Sequence, residues 1–221
     1  MKKHIKRMIV AFFCLGIICS ILNIRQYAIT ATSTPIVKNY GLHDPDGSDR
    51  YSWMADVKSM YTTYASPAAT VTNYNYFSSS TLINGLKGAN YLNIHTHGNS
   101  TKIKCIDSSE NVTYLTTSTI NSYGSTVFSN LKVCYIGACS ASNVALAIRN
   151  RGAACTIGYQ EDVKTACNYN TIAAYNLGFA TAGRTVANAM SAAIAGTYTK
   201  YGTYGSTDSY IIYGNSSLKY S

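Results

Sequence analysis

Apolar runs that alternate with amphipathic segments dominate the pattern of the chain. Two runs, 91–98 and 132–139, are rich in β-branched and aromatic residues, and each ends close to a glycine. A third run, 153–159, has the same character. Helical periodicity marks five further segments, which are 52–65, 80–86, 144–149, 170–178 and 184–195. Strands that alternate with helices predict an α/β fold, in which a mainly parallel sheet carries helices on both faces.

Less regular strand patterns lie outside these runs. Residues 34–37 are a candidate short strand, and 70–75 alternate as an edge strand does. A hairpin arm is indicated at 111–117, and the apolar run 209–213 predicts a last strand near the end of the chain. These segments complete a sheet of several strands.

Two reactive side chains stand where the two main strand patterns end. His97 ends one run and Cys139 ends the other. Functional groups of parallel α/β sheets gather at the carboxyl ends of the strands, so we expect these two side chains to meet.

The first 31 residues have the composition of a secretory signal peptide. Residues 1–7 are basic, residues 8–24 are apolar without charge, and the following small residues suggest cleavage near Ala31. An uncleaved membrane anchor is the alternative, because 17 apolar residues approach the length of a membrane span. We expect a secreted or cell-surface protein that is not inserted in the membrane after cleavage.

Charge gives little support to a nucleic-acid partner. The formal net charge is +9, but five of the Lys and Arg residues lie in the signal segment. The remaining chain has 13 Lys and Arg against 9 Asp and Glu, without a basic cluster. We therefore expect protein or peptide substrates rather than nucleic acid.

Five cysteines follow the signal segment. An odd number in an exported protein leaves at least one thiol unpaired. Inert buried thiols are one explanation. The position of Cys139 at a strand end favours another, in which its thiolate attacks a carbonyl and His97 is the general base. The backbone N–H groups of Gly98 and Cys139 would then form an oxyanion hole.

These motifs resemble the caspase-like cysteine peptidases of clan CD, which include caspases, gingipains, clostripain, legumain, separase and the CHAT domains. The sequences LNIHTHGN and VCYIGACSASN carry the resemblance, at 92–99 and 133–143. The segments 55–64, 143–162 and 211–220 are similar to the gingipain and CHAT types. The resemblance implies a cysteine endopeptidase domain over 51–221, preceded by a turn-rich leader at 32–50.

The sequence departs from the family pattern at the substrate pocket. Gly137 stands where metacaspases have an acidic pocket residue. Glu161 and Asp162 follow the next strand, where we expect a pocket wall. An acid there would favour cleavage after Arg or Lys through charge-assisted hydrogen bonds. A solvated loop is the alternative.

The turn at 44–49 contains three carboxylates. Calcium prefers several oxygen ligands from one loop, so a calcium site is one interpretation of this turn and a solvated turn is the other. No other cofactor is expected. The three residues are Asp44, Asp46 and Asp49.

Two other functions remain open. A zinc hydrolase would use His95 and His97 as a chelating pair, although zinc in a catalytic site needs a third protein ligand. A non-catalytic or degenerate surface or adhesion domain would suit the 20 tyrosines, because tyrosine combines contact area with a polar tip. His95 itself is either a partner of the site or a buried histidine with a structural role.

Overall fold

A six-stranded sheet forms the centre of the fold. The computed structural model describes residues 33–45 and 50–221. The predicted signal peptide therefore lies outside the described residues, as do Asp46 and Asp49. The strands are β1 (Ile36–Gly41), β2 (Thr70–Tyr74), β3 (Tyr91–His95), β4 (Lys102–Ile106), β5 (Val112–Thr116), β6 (Val133–Gly137), β7 (Cys155–Tyr159) and β8 (Tyr210–Gly214).

The spatial order of the main sheet is β2-β1-β3-β6-β7-β8. All neighbours are parallel except β7 and β8, which are antiparallel. Strands β4 and β5 form a separate antiparallel hairpin between β3 and β6 in the chain. This hairpin follows the loop that carries His97, and it therefore shapes one side of the site.

Helices cover both faces of the sheet, as the sequence pattern predicts. They are α1 (Trp53–Ser59), α2 (Ser79–Gly88), α3 (Thr117–Asn121), α4 (Ser142–Arg149), α5 (Thr165–Asn176) and α6 (Val186–Tyr201). Short π-helical turns at Met60–Tyr64 and Leu177–Thr181 continue α1 and α5. Within the described residues, no helix has the length and apolar character needed to cross a membrane.

Successive side chains of the central strands point to opposite faces of the sheet, so the protein has two separate cores, one on each face. Leu92 and Ile94 of β3 pack with residues of α2, α3 and α4 on one face. Tyr91 of β3 and Tyr135 of β6 pack with residues of α1, α5 and α6 on the other. Full burial of one large apolar side chain contributes about 1.5–3 kcal/mol, so both layers stabilise the central strands.

Many of the tyrosines belong to these cores. Six tyrosine side chains are among the largest that are fully buried, namely Tyr40, Tyr61, Tyr91, Tyr135, Tyr159 and Tyr175. Tyr198, Tyr201 and Tyr204 are exposed. Packing in the core therefore accounts for much of the tyrosine content that suggested a surface-binding domain.

A row of asparagine side chains crosses three strands below the site. The amide of Asn39 in β1 donates to Asn73 of β2 at 2.9 Å and accepts from Asn93 of β3 at 3.0 Å. Asn93 in turn accepts from Asn176 of α5 at 3.1 Å. Parallel register places these residues side by side, so each buried amide has a polar partner.

Candidate active site

The two strands that end in the predicted catalytic residues are direct neighbours. In the parallel pair of β3 and β6, His95 lies beside Gly137. The backbone N–H of Thr96 then donates to the carbonyl of Gly137 at 3.2 Å. The loops that carry His97 and Cys139 therefore begin side by side at the same edge of the sheet. This agrees with the prediction that functional groups gather at the carboxyl ends of parallel strands.

Gly98 lets these two loops lie against each other. A Cβ atom at this position would lie 3.0 Å from the Cβ of Ala138 and 3.2 Å from the carbonyl oxygen of Cys139. Both distances are closer than side chains normally approach. The absence of a side chain at this position therefore favours the close contact between the His97 loop and the Cys139 loop.

Cys139 is half-buried, and its thiol is held by the loop that follows β7. Its Sγ lies 3.8 Å from the carbonyl oxygen of Val163. The next residue, Ser140, has a positive φ of 50° and donates its N–H to the carbonyl of Glu161 at 2.9 Å. The Ser140 hydroxyl donates to the carboxylate of Asp162, also at 2.9 Å.

His97 and Cys139 line the same pocket, which has a volume of about 160 Å³. This pocket is a narrow cleft at the carboxyl ends of β3 and β6. Its lining residues are Arg50, His95, Thr96, His97, Cys139, Val163, Thr165 and Asn168.

His97 has a charged neighbour at each ring nitrogen. Its Nε2 lies 3.1 Å from Oδ2 of Asp44, and Arg50 approaches its Nδ1 at 3.3 Å. The carboxylate of Asp44 is 3% exposed and also pairs with Lys104 at 2.9 Å. The carboxylate at Nε2 fixes the orientation of the imidazole and places a negative charge beside it, while Arg50 places a positive charge at Nδ1.

The contact between Asp44 and His97 does not follow from the sequence pattern. Gly41 at the end of β1 lies beside His95 at the end of β3, so the loops after both strands meet. The strand predicted here was 34–37, which ends before most of β1, because Lys38 and Asn39 interrupt the apolar pattern. A strand that reached Gly41 would have placed Asp44 at the same sheet edge as His97. Of the three residues considered as calcium ligands, Asp44 is the only one described.

His95 lies deeper than His97. It is 1% exposed, and its ring centroid is 6.4 Å from that of Trp53. Burial, together with the positive charges of Arg50 and His97, lowers the pKa of His95 from 6.5 to about 3. His95 is therefore a neutral histidine at the inner wall of the pocket.

Glu161 and Asp162 lie at the rim rather than in the pocket. Their side chains are exposed, and both residues contact Ser140 as described above. Neither residue lines the pocket of Cys139, whereas the neighbouring Val163 does.

The other four cysteines after the signal segment are buried, and no disulfide links the cysteines within residues 33–45 and 50–221. Burial raises the pKa of Cys105 and of Cys155 to about 12. Burial also raises the pKa of Cys134. Cys139 is the accessible thiol of the described set.

No three His, Cys, Asp or Glu side chains are grouped to hold a metal ion in the part of the chain that the structure describes. The zinc alternative requires such a group around His95 and His97. Neither the described acids nor the described cysteines supply it.

Comparison with solved structures identifies the fold. The chain is similar to gingipain R, titled an Arg-specific cysteine proteinase, with a TM-score of 0.62, 14% identity and coverage of 83% of this chain and 47% of that chain. A complex of the pro- and mature domains of RgpB from Porphyromonas gingivalis gives a TM-score of 0.64 at 14% identity, with coverage of 83% and 48%.

A secreted cysteine protease from Bacteroides thetaiotaomicron, solved with an irreversible peptide inhibitor, gives a TM-score of 0.51 at 12% identity. That match covers 76% of this chain and 60% of the other. The chain thus spans about half of the length of the gingipain structures. No family model and no curated protein matches the sequence. The fold is that of the caspase-like cysteine peptidases.

Proposed function

We propose that the protein is a cysteine endopeptidase in which Cys139 is the nucleophile and His97 is the general base and acid. The observation that carries this proposal is that both side chains line one pocket at the carboxyl ends of two adjacent parallel strands. The caspase-like fold supports a peptidase function, because the similar structures are cysteine peptidases.

In the proposed reaction, His97 takes the proton of the Cys139 thiol and the sulfur attacks the peptide carbonyl carbon. The N–H groups of Gly98 and Cys139 stabilise the resulting oxyanion. The carbon–nitrogen bond then breaks, and His97 gives its proton to the leaving amine. A water molecule, deprotonated by His97, attacks the thioester, and a carboxylate product leaves as the thiol is restored.

Asp44 is the proposed positioning residue of this pair. Its contact with Nε2 leaves Nδ1 of His97 to exchange protons with the thiol and the leaving amine. Arg50 occupies the neighbourhood of Nδ1 in the present arrangement, and a substrate would have to displace this contact. The negative charge of Asp44 stabilises the imidazolium that forms during the reaction.

Cleavage after Arg or Lys stays a prediction. The carboxylate of Asp162 is held next to the nucleophile loop through Ser140, where it can meet a side chain at the rim. The described pocket lining, however, contains Arg50 and no carboxylate. The peptide library below therefore has to include acidic and uncharged residues before the cleaved bond.

Action outside the cytoplasm is also part of the proposal. The signal-like segment at 1–31 supports export, and one of the similar structures is titled a secreted protease. Extracellular or cell-surface proteins and peptides are the corresponding substrates.

A peptide library tests the function. The wild-type protein should cleave a subset of the library, while Cys139→Ala and His97→Ala should lose cleavage by at least about 100-fold. His43→Phe is the matched control, because it retains an aromatic ring against Tyr76 and should cleave as the wild type does. Cleavage that survives Cys139→Ala would refute the assignment, and a protein that cleaves no peptide would favour the non-catalytic alternative.

A further inference from the structure

A second cavity, of about 220 Å³, adjoins the active site. It shares His97 with the first pocket but is not lined by Cys139. The other lining residues are Gly98, Asn99, Lys102, Lys104 and Tyr114. The hairpin of β4 and β5 therefore forms one half of its wall and the His97 loop forms the other.

A tight turn folds this hairpin back onto the His97 loop. The side-chain oxygen of Asn99 accepts from the N–H groups of Thr101 at 2.9 Å and Lys102 at 3.1 Å. Further along, the N–H of Lys104 donates to the carbonyl of His97 at 2.9 Å. These hydrogen bonds hold the hairpin against the loop of the proposed general acid.

Alternation along β4 turns two lysines toward the cavity. Ile103 and Cys105 are fully buried in the core, so Lys102 and Lys104 lie on the opposite, open face. Tyr114 of β5 is directly opposite Lys104, and the centroid of its ring lies 4.0 Å from Nζ of Lys102. The aromatic contact holds the Lys102 ammonium group in place at the cavity.

The charge of the lining is positive. Lys104 pairs with Asp44, a carboxylate that also contacts His97 from the other side. Lys102 contributes a second positive charge, which is held by an uncharged ring. No carboxylate is among the described residues that line this cavity.

The proposed reaction indicates which part of the substrate lies next to this cavity. Cys139 retains the acyl part of the substrate, while His97 protonates the amine of the leaving segment. The cavity adjoins His97 and not Cys139, so it faces the leaving segment. A volume of about 220 Å³ is smaller than that of pockets for drug-sized ligands and suits a single side chain.

We propose that this cavity is a specificity subsite for an acidic side chain in the first two residues after the cleaved bond, with Lys102 as its main determinant. The proposal rests on the proposed peptidase function. An Asp or Glu side chain there would form a charge-assisted contact with Lys102. The carboxylate of a substrate's own C-terminus has the same chemistry, and the experiment separates the two sources.

The test uses peptides that are identical up to the cleaved bond, taken from a sequence that the library shows to be cleaved. One peptide has Glu and another has Gln at the first or second following position, and both are amidated at the C-terminus. We expect kcat/KM to be about three- to fivefold higher with Glu at one of these positions, as for a partly exposed ion pair. Added salt should reduce this ratio.

Variants of Lys102 test whether this residue causes the preference for Glu over Gln. Lys102→Gln should bring the Glu-to-Gln ratio close to one, and Lys102→Glu should reverse it. Lys87→Gln is the matched control, because Lys87 also lies over a tyrosine ring, that of Tyr123, but is on α2 and outside the cavity. This control should keep the wild-type ratio. Thermal melting verifies that each variant is folded.

Equal kcat/KM for the Glu and Gln peptides in the wild type would overturn the proposal, as would a ratio that neither Lys102 variant changes. A peptide with a free C-terminus that is cleaved faster than its amide, without a Glu effect, would assign the site to chain ends and overturn the side-chain proposal. All three results would leave the peptidase function intact. Absence of cleavage of every peptide would instead refute the function, and this subsite with it.

Discussion

Oδ2 of Asp44 lies 3.1 Å from Nε2 of His97, and this contact joins the loop after β1 to the loop after β3. Because Asp44 also holds Lys104 at 2.9 Å, one buried carboxylate links the proposed general base to the hairpin of β4 and β5. The same carboxylate thus contacts both the imidazole and the hairpin.

Replacing Asp44 by Asn should lower kcat while leaving the fold in place. The amide retains the shape but loses the negative charge that stabilises the imidazolium formed during the reaction, and we expect a loss of at least about 10-fold. Peptide hydrolysis measured over a range of pH checks this. Asp208→Asn, at an exposed position, is the control and should match the wild type. An Asp44→Asn variant with wild-type kcat would show that Asp44 does not position His97.

Alkylation of the native protein should be selective. Iodoacetamide should modify Cys139 and spare Cys105, Cys134, Cys155 and Cys167, because these four thiols are buried. Burial also raises the pKa of Cys105 and Cys155 to about 12, which removes their reactive thiolate form at neutral pH. Peptide mapping by mass spectrometry measures the labelling, and all five should react in denaturant. Substantial native labelling at a buried cysteine would contradict the described packing.

Burial of His95 should make the protein less stable in acid. Its pKa is about 3 in the fold and about 6.5 when unfolded, so between these values the unfolded chain binds the extra proton. Stability from this residue is therefore present above pH 6.5 and is lost as the pH falls toward 3, by up to about 1.4 kcal/mol per pH unit.

The measurement for His95 is urea unfolding at several pH values, compared with His95→Asn. Carboxylates contribute a pH dependence to both proteins, so the difference between them isolates the histidine. The wild-type advantage should shrink as the pH falls below about 6.5 and be constant above about 7.5. A difference that does not change with pH would show that His95 titrates in the fold as it does in the unfolded chain.

Truncation of the asparagine row should destabilise the fold. Asn93→Ala removes hydrogen bonds to Asn39 and Asn176 and leaves their buried amides without these partners. We expect the free energy of unfolding to fall by about 2–4 kcal/mol. Asn188→Ala on the exposed side of α6 should change it by less than about 0.5 kcal/mol. Equal effects of the two substitutions in urea unfolding would show that the row does not stabilise the sheet.

The strands that could be predicted from the sequence are those whose residues are apolar because they are buried. Strands β3, β6 and β7 are buried at every position, and each was recognised as an apolar run. The edge position of β2 also followed from its weak alternation, and the sheet order confirms it. The predicted ends of these strands therefore placed His97 and Cys139 at the same edge of the sheet, where the structure also has them.

Contacts between distant segments could not be predicted in the same way. Strand β4 was missed, although residues 102–105 alternate as in a half-buried strand; the cavity wall that its lysines form arises only in the folded hairpin. The role of Arg50 depends on the path of the loop after β1, which apolar periodicity does not record. Glu161 and Asp162 were predicted at a pocket wall, whereas the structure has both at the rim beside Ser140. Selection of the substrate by these residues stays a prediction.

A peptide that carries a chloromethyl ketone in place of the cleaved bond tests the central claim most directly. The sulfur of Cys139 should displace chloride and form one covalent adduct per protein, which mass spectrometry of the intact chain and its fragments locates. The adduct should be absent in Cys139→Ala, should form at least about tenfold more slowly in His97→Ala, and should form normally in His43→Phe. An adduct at any other residue, or full labelling of Cys139→Ala, would contradict the account.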